Sequence, residues 1–310
     1  MIKKILFGIL SFLVLAIVIF SALNFYSNID VEDLKKEFTY ADSKFVQVVG
    51  MNVHYRMTGQ GKPLVLLHGT GASLHTWEAW TEQLSGDYQI ISVDLPAFGL
   101  TGKHYNNDYS IQAYTTFLNS FLNKIGVSSF ALAGNSLGGR IAWAYALEHP
   151  EKVKQLILID PAGFPHLEQD PPLAFQLAKN PITSQFLLKV TPKSLFVKSL
   201  KDVYGNDDLV TEELINRYFK LYLRRGNRQA FIDRVNQEYS DRTDELENIK
   251  MPTLIMWGEA DYWIPVSDAQ LFKNKIPNSE LIIYPKVGHV PMEEIPEKTA
   301  EDAHAFLEQF

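Results

Sequence analysis

A serine lies where an apolar run is expected to turn sharply into a helix. The run SFALAGNS indicates a buried strand, residues 137–148 indicate a helix, and GNSLG spans the junction. A G-x-S-x-G motif in this context is typical of a nucleophile elbow, whose strained turn pushes the hydroxyl out above the sheet. We therefore predict that Ser136 is a covalent nucleophile. The alternative interpretation is a tight turn that holds an incidental serine.

A base and an acid are expected elsewhere in the chain, because a serine hydroxyl is a weak nucleophile on its own. The expected chain order is serine, acid, histidine. His289 follows the last apolar run, ELIIYPKVG, and is the predicted base. Asp261 follows TLIMWGE and is the predicted acid. Asp160, at the end of LILID, and Glu259 remain alternatives for the acid.

Attack on a carbonyl produces an alkoxide, which needs preorganised hydrogen-bond donors. One predicted donor is the backbone N–H of Leu137, the residue after the nucleophile. The other is expected in the loop HGTGAS, where we favour the N–H of Thr70 over those of Gly69 and Gly71. His68 of the same loop is expected to brace it by hydrogen bonding rather than to act in catalysis.

Three further histidines have simpler interpretations. His104 and His166 are expected at the surface. His149 precedes a proline at a helix end, where a positive charge is favourable.

Composition excludes several classes of protein. The chain has no cysteine, so thiolate catalysis, disulfides and cysteine-ligated zinc are excluded. Its net charge of −7, without a basic stripe, gives no reason to expect nucleic-acid binding. No cofactor and no metal are expected for chemistry based on a serine, a histidine and an aspartate.

The N-terminus has the pattern of a membrane helix. Ile5 to Leu23 carries no charged side chain, and at about 1.5 Å per residue it spans roughly 28 Å, close to a bilayer core. Lys3 and Lys4 precede this run and acidic residues follow it. The positive-inside rule then predicts a cytoplasmic N-terminus and a catalytic domain outside the cytoplasm.

Two expectations about this end of the chain follow. Residues 1–27 form a single-pass transmembrane anchor, and residues 28–43, which are polar and acidic, form a short stalk that is partly helical at most. The alternative is a signal peptide that is cleaved to give a secreted protein, although Ile19-Phe20-Ser21 is a poor cleavage site.

Apolar runs alternate with helical patterns over most of the remaining chain, which predicts the α/β class. The expected architecture is a mostly parallel central sheet with helices on both faces. A hairpin is expected around Gly50-Met51, and the last helix from Glu297 to Phe310. Residues 164–248 interrupt the alternation and predict a helical cap inserted between two strands. The core would then comprise residues 44–163 and 249–310.

Six motifs in fixed order, HGTGAS, DLPAFGLTG, GNSLGG, LILIDPAG, GEADYWIP and GHVPMEEIP, give the chain a family resemblance from about residue 44 onward. It resembles the α/β-hydrolase superfamily, in its serine-nucleophile, esterase- and lipase-like branch. The resemblance implies hydrolysis of a carboxylic ester through an acyl-enzyme. Ser136 argues against epoxide hydrolases and haloalkane dehalogenases, which use an aspartate. Ala97 stands where the family usually has glycine.

Three alternatives stay open. Carbon–carbon-bond hydrolases share the elbow but commonly have tryptophan where Val290 follows His289. Cofactor-free perhydrolases or haloperoxidases use the same triad, and a non-enzymatic ligand receptor could retain it.

The expected substrate is a small to medium uncharged ester with an apolar acyl part. The cap residues expected to pack the cap or line a pocket are aromatic: Phe175, Phe186, Phe196, Tyr218, Phe219, Tyr222 and Phe231. Arg224, Arg225 and Arg228 would bind a charged substrate only if their helix turned inward.

Overall fold

One sheet forms the centre of the chain. In the computed structural model, which describes residues 2–165 and 171–309, eight strands are hydrogen-bonded in the order β1-β2-β4-β3-β5-β6-β7-β8. They are β1 (Ser43–Val48), β2 (Met51–Thr58), β3 (Lys62–Leu67), β4 (Tyr88–Val93), β5 (Phe130–Asn135), β6 (Val153–Ile159), β7 (Thr253–Gly258) and β8 (Ser279–Tyr284). The pairs β1–β2 and β2–β4 are antiparallel, and the other pairs are parallel. The predicted α/β class and mostly parallel sheet are confirmed.

Both faces of the sheet are buried, which explains why its central strands are continuous apolar runs. Side chains alternate between faces along a strand. In β3, Val65 and Leu67 join one core cluster, which includes Trp143. Leu64 and Leu66 join the other. A strand that packs against two cores has few positions for polar side chains.

Helices cover both faces of the sheet, and five of them follow one another along the chain between β6 and β7. They are α1 (Ile2–Leu23), α2 (Val31–Phe38), α3 (Glu78–Leu84), α4 (Ile111–Lys124), α5 (Leu137–Glu148), α6 (Leu173–Lys179), α7 (Pro181–Leu187), α8 (Lys193–Lys201), α9 (Glu212–Tyr222), α10 (Asn227–Val235), α11 (Ser267–Lys275), α12 (Pro291–Glu294) and α13 (Pro296–Leu307). Helices α6 to α10 lie within the predicted cap, residues 164–248. The last helix ends at Leu307.

Helix α1 lies at the outside of the described chain. None of its residues is buried, and it is long and apolar enough to cross a membrane. Its exposed side chains are the large apolar ones that water would disfavour most.

Residues 28–43 do not extend away from the domain, so the predicted stalk is wrong as a description of this segment. Helix α2 buries Leu34 and Phe38 in a small cluster with Leu100 and Leu221. Spacing of four residues places both apolar side chains on one helix face. Because the segment is polar overall, its composition does not indicate that Leu34 and Phe38 form one apolar helix face.

The expectation that His104 lies at the surface is also wrong. His104 is 5% exposed, and its ring packs beside Tyr105 and Tyr109. Its Nδ1 hydrogen-bonds with the Asn106 side chain at 2.5 Å. Two tyrosines within five residues favour a local aromatic cluster. His166 lies outside the described residues.

Candidate active site

Ser136 lies at the sharp junction between β5 and α5. Its φ of 55° and ψ of −116° place a non-glycine residue in a sparsely populated region, a form of strain that occurs at functional sites. A Cβ on Gly134 would lie 2.3 Å from the Gly138 carbonyl oxygen, and a Cβ on Gly138 would lie 2.2 Å from that of Leu67. Only glycine fits at these two positions of the motif.

The structure joins His289 to Asp261. Their Nδ1 and Oδ2 atoms are 2.6 Å apart, and Asp261 Oδ1 accepts hydrogen bonds from the N–H groups of Trp263 at 2.7 Å and Ile264 at 3.0 Å. Because the carboxylate accepts at Oδ2, Nδ1 carries the proton in the neutral ring. Nε2 is then an acceptor. This buried Nε2 has no hydrogen-bond partner among the described residues.

Backbone hydrogen bonds fix the position of His289 between the elbow and the cap. Its N–H donates to the carbonyl of Val203 at 2.8 Å. Its carbonyl accepts from Asn135 Nδ2 at 2.9 Å, and the same amide donates to Ile159 at 3.2 Å. The residue before Ser136 therefore holds the loop that carries the histidine.

Asp160 lies close to the same pair but makes different contacts. Its Oδ1 accepts from the N–H of Gly258 at 2.9 Å, and its Oδ2 has no hydrogen-bond partner among the described residues. Burial, and then the nearby charge of Asp261, raise the pKa of Asp160 well above its ordinary value. Both effects favour the neutral carboxyl group over the carboxylate. Exposed Glu259 instead accepts a hydrogen bond from the N–H of Lys286 at 3.3 Å.

Asp160, Asp261 and His289 also form a group whose donor atoms lie within 4.8 Å of one another, close enough for a metal ion. The hydrogen bond between Nδ1 and Oδ2 would have to break for both atoms to bind one ion. This geometry favours an aspartate that orients and stabilises a histidine over a metal centre.

The loop HGTGAS borders the elbow. His68 Nε2 accepts from the N–H of Leu95 at 3.0 Å, so Nδ1 donates to the Gly69 carbonyl at 2.8 Å. Burial lowers the pKa of His68 and keeps it in this neutral form. A Cβ on Gly69 would lie 3.2 Å from that of Ser136. Thr70 lines the same cavity as Ser136, and Leu137 begins α5.

Asp94, which the sequence analysis did not single out, holds two loops in place. Its carboxylate accepts from His54 Nδ1 at 2.7 Å and from the N–H groups of Leu74 at 2.8 Å and Leu100 at 2.7 Å. Burial alone would raise the pKa of Asp94, but the charge and hydrogen bond of His54 outweigh it and lower the pKa to about 2. An aspartate directly after the apolar run QIISV was the available signal.

Glu293, also missed, connects the cap to the loop of the histidine. Its side chain accepts from the hydroxyls of Tyr204 at 2.6 Å, Tyr218 at 2.7 Å and Thr76. The neighbouring Glu294 accepts from two backbone N–H groups, at Gly288 (2.7 Å) and Gly205 (3.0 Å). Both glutamates lie on α12, which begins two residues after His289.

An apolar cavity lies between the cap and the elbow. Ser136 and His289 line it together with Thr70. Five of the seven aromatic residues predicted for the cap also line it: Phe175, Phe196, Tyr218, Tyr222 and Phe231. Phe219 instead packs against Tyr26, and Phe186 is 50% exposed.

No lysine, arginine, aspartate or glutamate is among the described residues that line this cavity. The three cap arginines have other partners. Arg224 donates to the Thr101 carbonyl at 3.2 Å, and Arg225 pairs with Asp30 at 2.9 Å. Arg228 is 2% exposed and donates to the Tyr26 carbonyl at 2.9 Å.

The fold and the arrangement of Ser136, Asp261 and His289 point to one class of enzyme. Comparison with known proteins points to the same class. The family model for the alpha/beta hydrolase fold matches residues 62–296. The chain belongs to this family and is an enzyme of the α/β-hydrolase type.

Three relatives illustrate the range of the family. Lipase 1 of Psychrobacter immobilis is 32% identical over 258 residues, covering 79% of this chain and 77% of that protein. A 2-hydroxy-6-oxononadienedioate/2-hydroxy-6-oxononatrienedioate hydrolase of Paraburkholderia phymatum is 29% identical, covering 80% and 90%. The crystal structure of a membrane phospholipase A, described as a bacterial virulence factor, has 28% identity and a TM-score of 0.75, covering 99% and 98%.

Proposed function

We propose that this enzyme hydrolyses carboxylic esters with a small to medium, uncharged and apolar acyl part. One observation carries the proposal: Ser136 and the unpartnered Nε2 of His289 border one apolar cavity, while Asp261 occupies the other ring nitrogen. This is the arrangement of a nucleophile, a base and an orienting acid.

The proposed reaction has two halves. Ser136 Oγ attacks the ester carbonyl while His289 Nε2 takes its proton, and the N–H groups of Leu137 and Thr70 stabilise the alkoxide. The alkoxide collapses, and the protonated imidazole gives its proton to the leaving alcohol, which leaves an acyl-enzyme. Water, deprotonated by His289, then attacks the acyl-enzyme and releases the acid, and the proton returns to Ser136. Asp261 stabilises the imidazolium in both halves.

The volume of the cavity limits the size of the acyl group. Its volume is about 130 Å³, close to the roughly 150 Å³ of an apolar cavity that binds benzene. Each buried methylene is worth about 0.8 kcal/mol, or about fourfold in kcat/KM. For p-nitrophenyl esters from acetate to octanoate, kcat/KM should therefore rise severalfold per carbon and then level off. A flat series, or a preference for acyl groups that carry a carboxylate, would contradict the proposal.

A labelling experiment tests the nucleophile. Ser136→Ala should abolish labelling by a fluorophosphonate probe and lower kcat on the order of 10³-fold or more. Ser199 also lines the cavity, so Ser199→Ala is the matched control and should remain labelled. Labelling that survives in Ser136→Ala would exclude Ser136 as the nucleophile.

Carbon–carbon-bond hydrolysis is the main alternative among the relatives. The name of the Paraburkholderia relative specifies a dicarboxylate substrate, whereas the described lining of this cavity holds no lysine or arginine. Ester turnover without cleavage of such a dioate would separate the two activities. The same assay with and without peroxide tests perhydrolysis, and any turnover excludes a receptor without activity.

We further propose that α1 is a single-pass anchor that leaves the catalytic domain outside the cytoplasm. The exposed apolar helix, Lys3 and Lys4 before it, and the near-complete coverage of a membrane phospholipase A support this topology. A protease added to intact protoplasts should remove the domain. Protection of the domain until the protoplasts are lysed would show that the topology is the opposite one. A soluble mature chain would indicate signal-peptide cleavage.

A further inference from the structure

We infer that the cap docks onto the lipid surface in which α1 sits, through the exposed side chains of Phe25, Ile182 and Phe186. The inference rests on the proposed membrane anchor and deepens it. It specifies which face of the domain contacts the bilayer and where the substrate enters.

The segment that follows α1 is hydrogen-bonded to the cap. The Thr191 N–H donates to the Asn24 carbonyl at 2.9 Å, and the Tyr26 N–H donates to the Lys189 carbonyl at 3.0 Å. Phe25 and Val190 thereby form an antiparallel bridge. Since α1 ends at Leu23, this part of the cap lies within a few residues of the end of the apolar helix.

A second set of contacts holds the same segment to the end of α9. The Ile29 N–H donates to the Leu223 carbonyl, and the Arg225 N–H donates to the Ile29 carbonyl, both at 2.9 Å. Arg228 adds a side-chain hydrogen bond to Asn28 Oδ1 at 2.7 Å. The cap is therefore fixed to the chain that emerges from α1 at two separate places.

Large apolar side chains are exposed beside this junction. Ile182 is 77% exposed, Phe186 is 50% exposed and Phe25 is 53% exposed. Ile182 and Phe186 lie four residues apart on one face of α7. The Val190 N–H donates to the Phe186 carbonyl at 2.8 Å, and Val190 pairs with Phe25. These backbone contacts bring the three residues into one region, next to the end of α1.

The charge of this region is complementary to lipid phosphates. Residues 171–201 contain five lysines and no aspartate or glutamate, although the whole chain has a net charge of −7. Three of these lysines pair with acidic side chains outside this range: Lys193 with Glu212, Lys198 with Asp202 and Lys201 with Asp207. The other two, Lys179 and Lys189, supply the positive charge of the docking region. Lys179 and Lys189 are exposed on either side of α7. Lysines beside an apolar surface patch favour binding to anionic headgroups.

The same part of the cap forms the wall of the catalytic cavity. Thr191, Pro192, Leu195 and Phe196 line that cavity, and Thr191 is directly bonded to the segment after α1. A docked cap would place this wall at the bilayer surface. An ester dissolved in the membrane would then reach Ser136 with little exposure of its acyl chain to water.

The absence of cysteine makes site-specific labelling straightforward. The full chain, with Ile182→Cys or Phe186→Cys, would carry an environment-sensitive NBD fluorophore and be reconstituted into vesicles that contain phosphatidylglycerol. Leu271→Cys is the control, since Leu271 is 44% exposed on α11 of the core. Labels at 182 and 186 should be blue-shifted, quenched by nitroxide lipids and severalfold less accessible to iodide than the label at 271.

Equal iodide accessibility at 182, 186 and 271, in chains that sediment with the vesicles, would overturn the docking while leaving the anchor intact. Failure to sediment with vesicles would overturn both. The fluorescence needs no turnover, so failure of the proposed ester hydrolysis is measured separately. As a functional readout, Ile182→Ser with Phe186→Ser should lower hydrolysis of a vesicle-embedded ester severalfold and leave p-nitrophenyl butyrate hydrolysis unchanged.

Discussion

Asp160 lies beside Asp261, and only one of the two hydrogen-bonds with His289. Asp261 holds Nδ1 of the ring at 2.6 Å, while Asp160 accepts from the N–H of Gly258. Two carboxylates this close cannot both be ionised without a large penalty. The pair therefore divides into Asp261, which contacts the imidazole, and Asp160 behind it, whose pKa is raised by burial and then by the charge of Asp261.

This division predicts different outcomes for the same substitution at the two positions. Asp261→Asn should lower kcat by roughly 10²- to 10⁴-fold, because an amide does not stabilise the imidazolium. Asp160→Asn should change kcat far less, since Asp160 makes no hydrogen bond with His289 and the amide oxygen can keep the bond from the N–H of Gly258. Steady-state kinetics on a short ester compares them, and circular dichroism checks folding. Greater damage from Asp160→Asn would reverse the assignment.

The raised pKa of Asp160 also predicts a pH dependence of stability. Above its ordinary pKa the unfolded chain releases this proton, whereas the folded chain retains it. Stability is therefore lost as pH rises toward the folded pKa, with a slope of at most about 1.4 kcal/mol per pH unit. Asp160→Asn should remove this contribution. Urea unfolding of both proteins across weakly acidic to neutral pH measures the difference, and a difference that is constant with pH would contradict the prediction.

Glu293 should contribute to stability through its three hydroxyl donors. Burial, and then the charge of Glu293, raise the pKa of Tyr218 well above its ordinary value, so the hydroxyl remains a donor. Glu293→Gln replaces one acceptor oxygen with an NH₂ group, and should cost about 1–3 kcal/mol of unfolding free energy. Glu301→Gln is the control, because that side chain is 74% exposed. Equal melting temperatures for the two variants would count against the role.

Arg228 should hold the segment after α1 against the cap. It donates to the Tyr26 carbonyl, to Asn28 Oδ1 and to Thr191 Oγ1 at 3.2 Å. The single ammonium group of a lysine cannot reproduce these bonds, which come from two nitrogens of one planar guanidinium. Arg228→Lys should make residues 24–30 more sensitive to limited proteolysis, at a cost of about 1.5–3 kcal/mol.

The matched control for this change is Arg225→Lys. Arg225 and its partner Asp30 are 70% and 62% exposed, and exposed pairs contribute little. If the two variants are cleaved at the same rate, the buried guanidinium is not what holds the segment.

The sequence was sufficient where one local pattern decides a local structure. The buried strands were predictable because each is an apolar run of strand length between turn residues, as in β5 and β7. The elbow at Ser136 was predictable because its glycines are required by contacts that recur wherever this turn occurs. The candidate residues His289 and Asp261 followed from their positions after two such strands.

The sequence was insufficient where contacts join distant parts of the chain. Glu293 accepts hydrogen bonds from Tyr204 and Tyr218, which are 89 and 75 residues away along the chain. No local sequence pattern indicates such pairs. The docking of α2 depends on Leu34 and Phe38 meeting Leu221. Arg228 was considered for substrate binding because a sequence does not give the direction of an arginine in a helical insertion.

The hydrogen bonds between residues 24–29 and the cap also determine how the molecule would bear mechanical load. A pull on α1 reaches the chain at Asn24 and passes first to Thr191 and Leu223 in the cap, before it reaches the sheet at β1. In the proposed topology, the anchor and the cavity wall would therefore share one load path. Lateral tension or thinning of the bilayer would then act on the cavity wall at Thr191 before it reached the strands that precede Ser136 and Asp261.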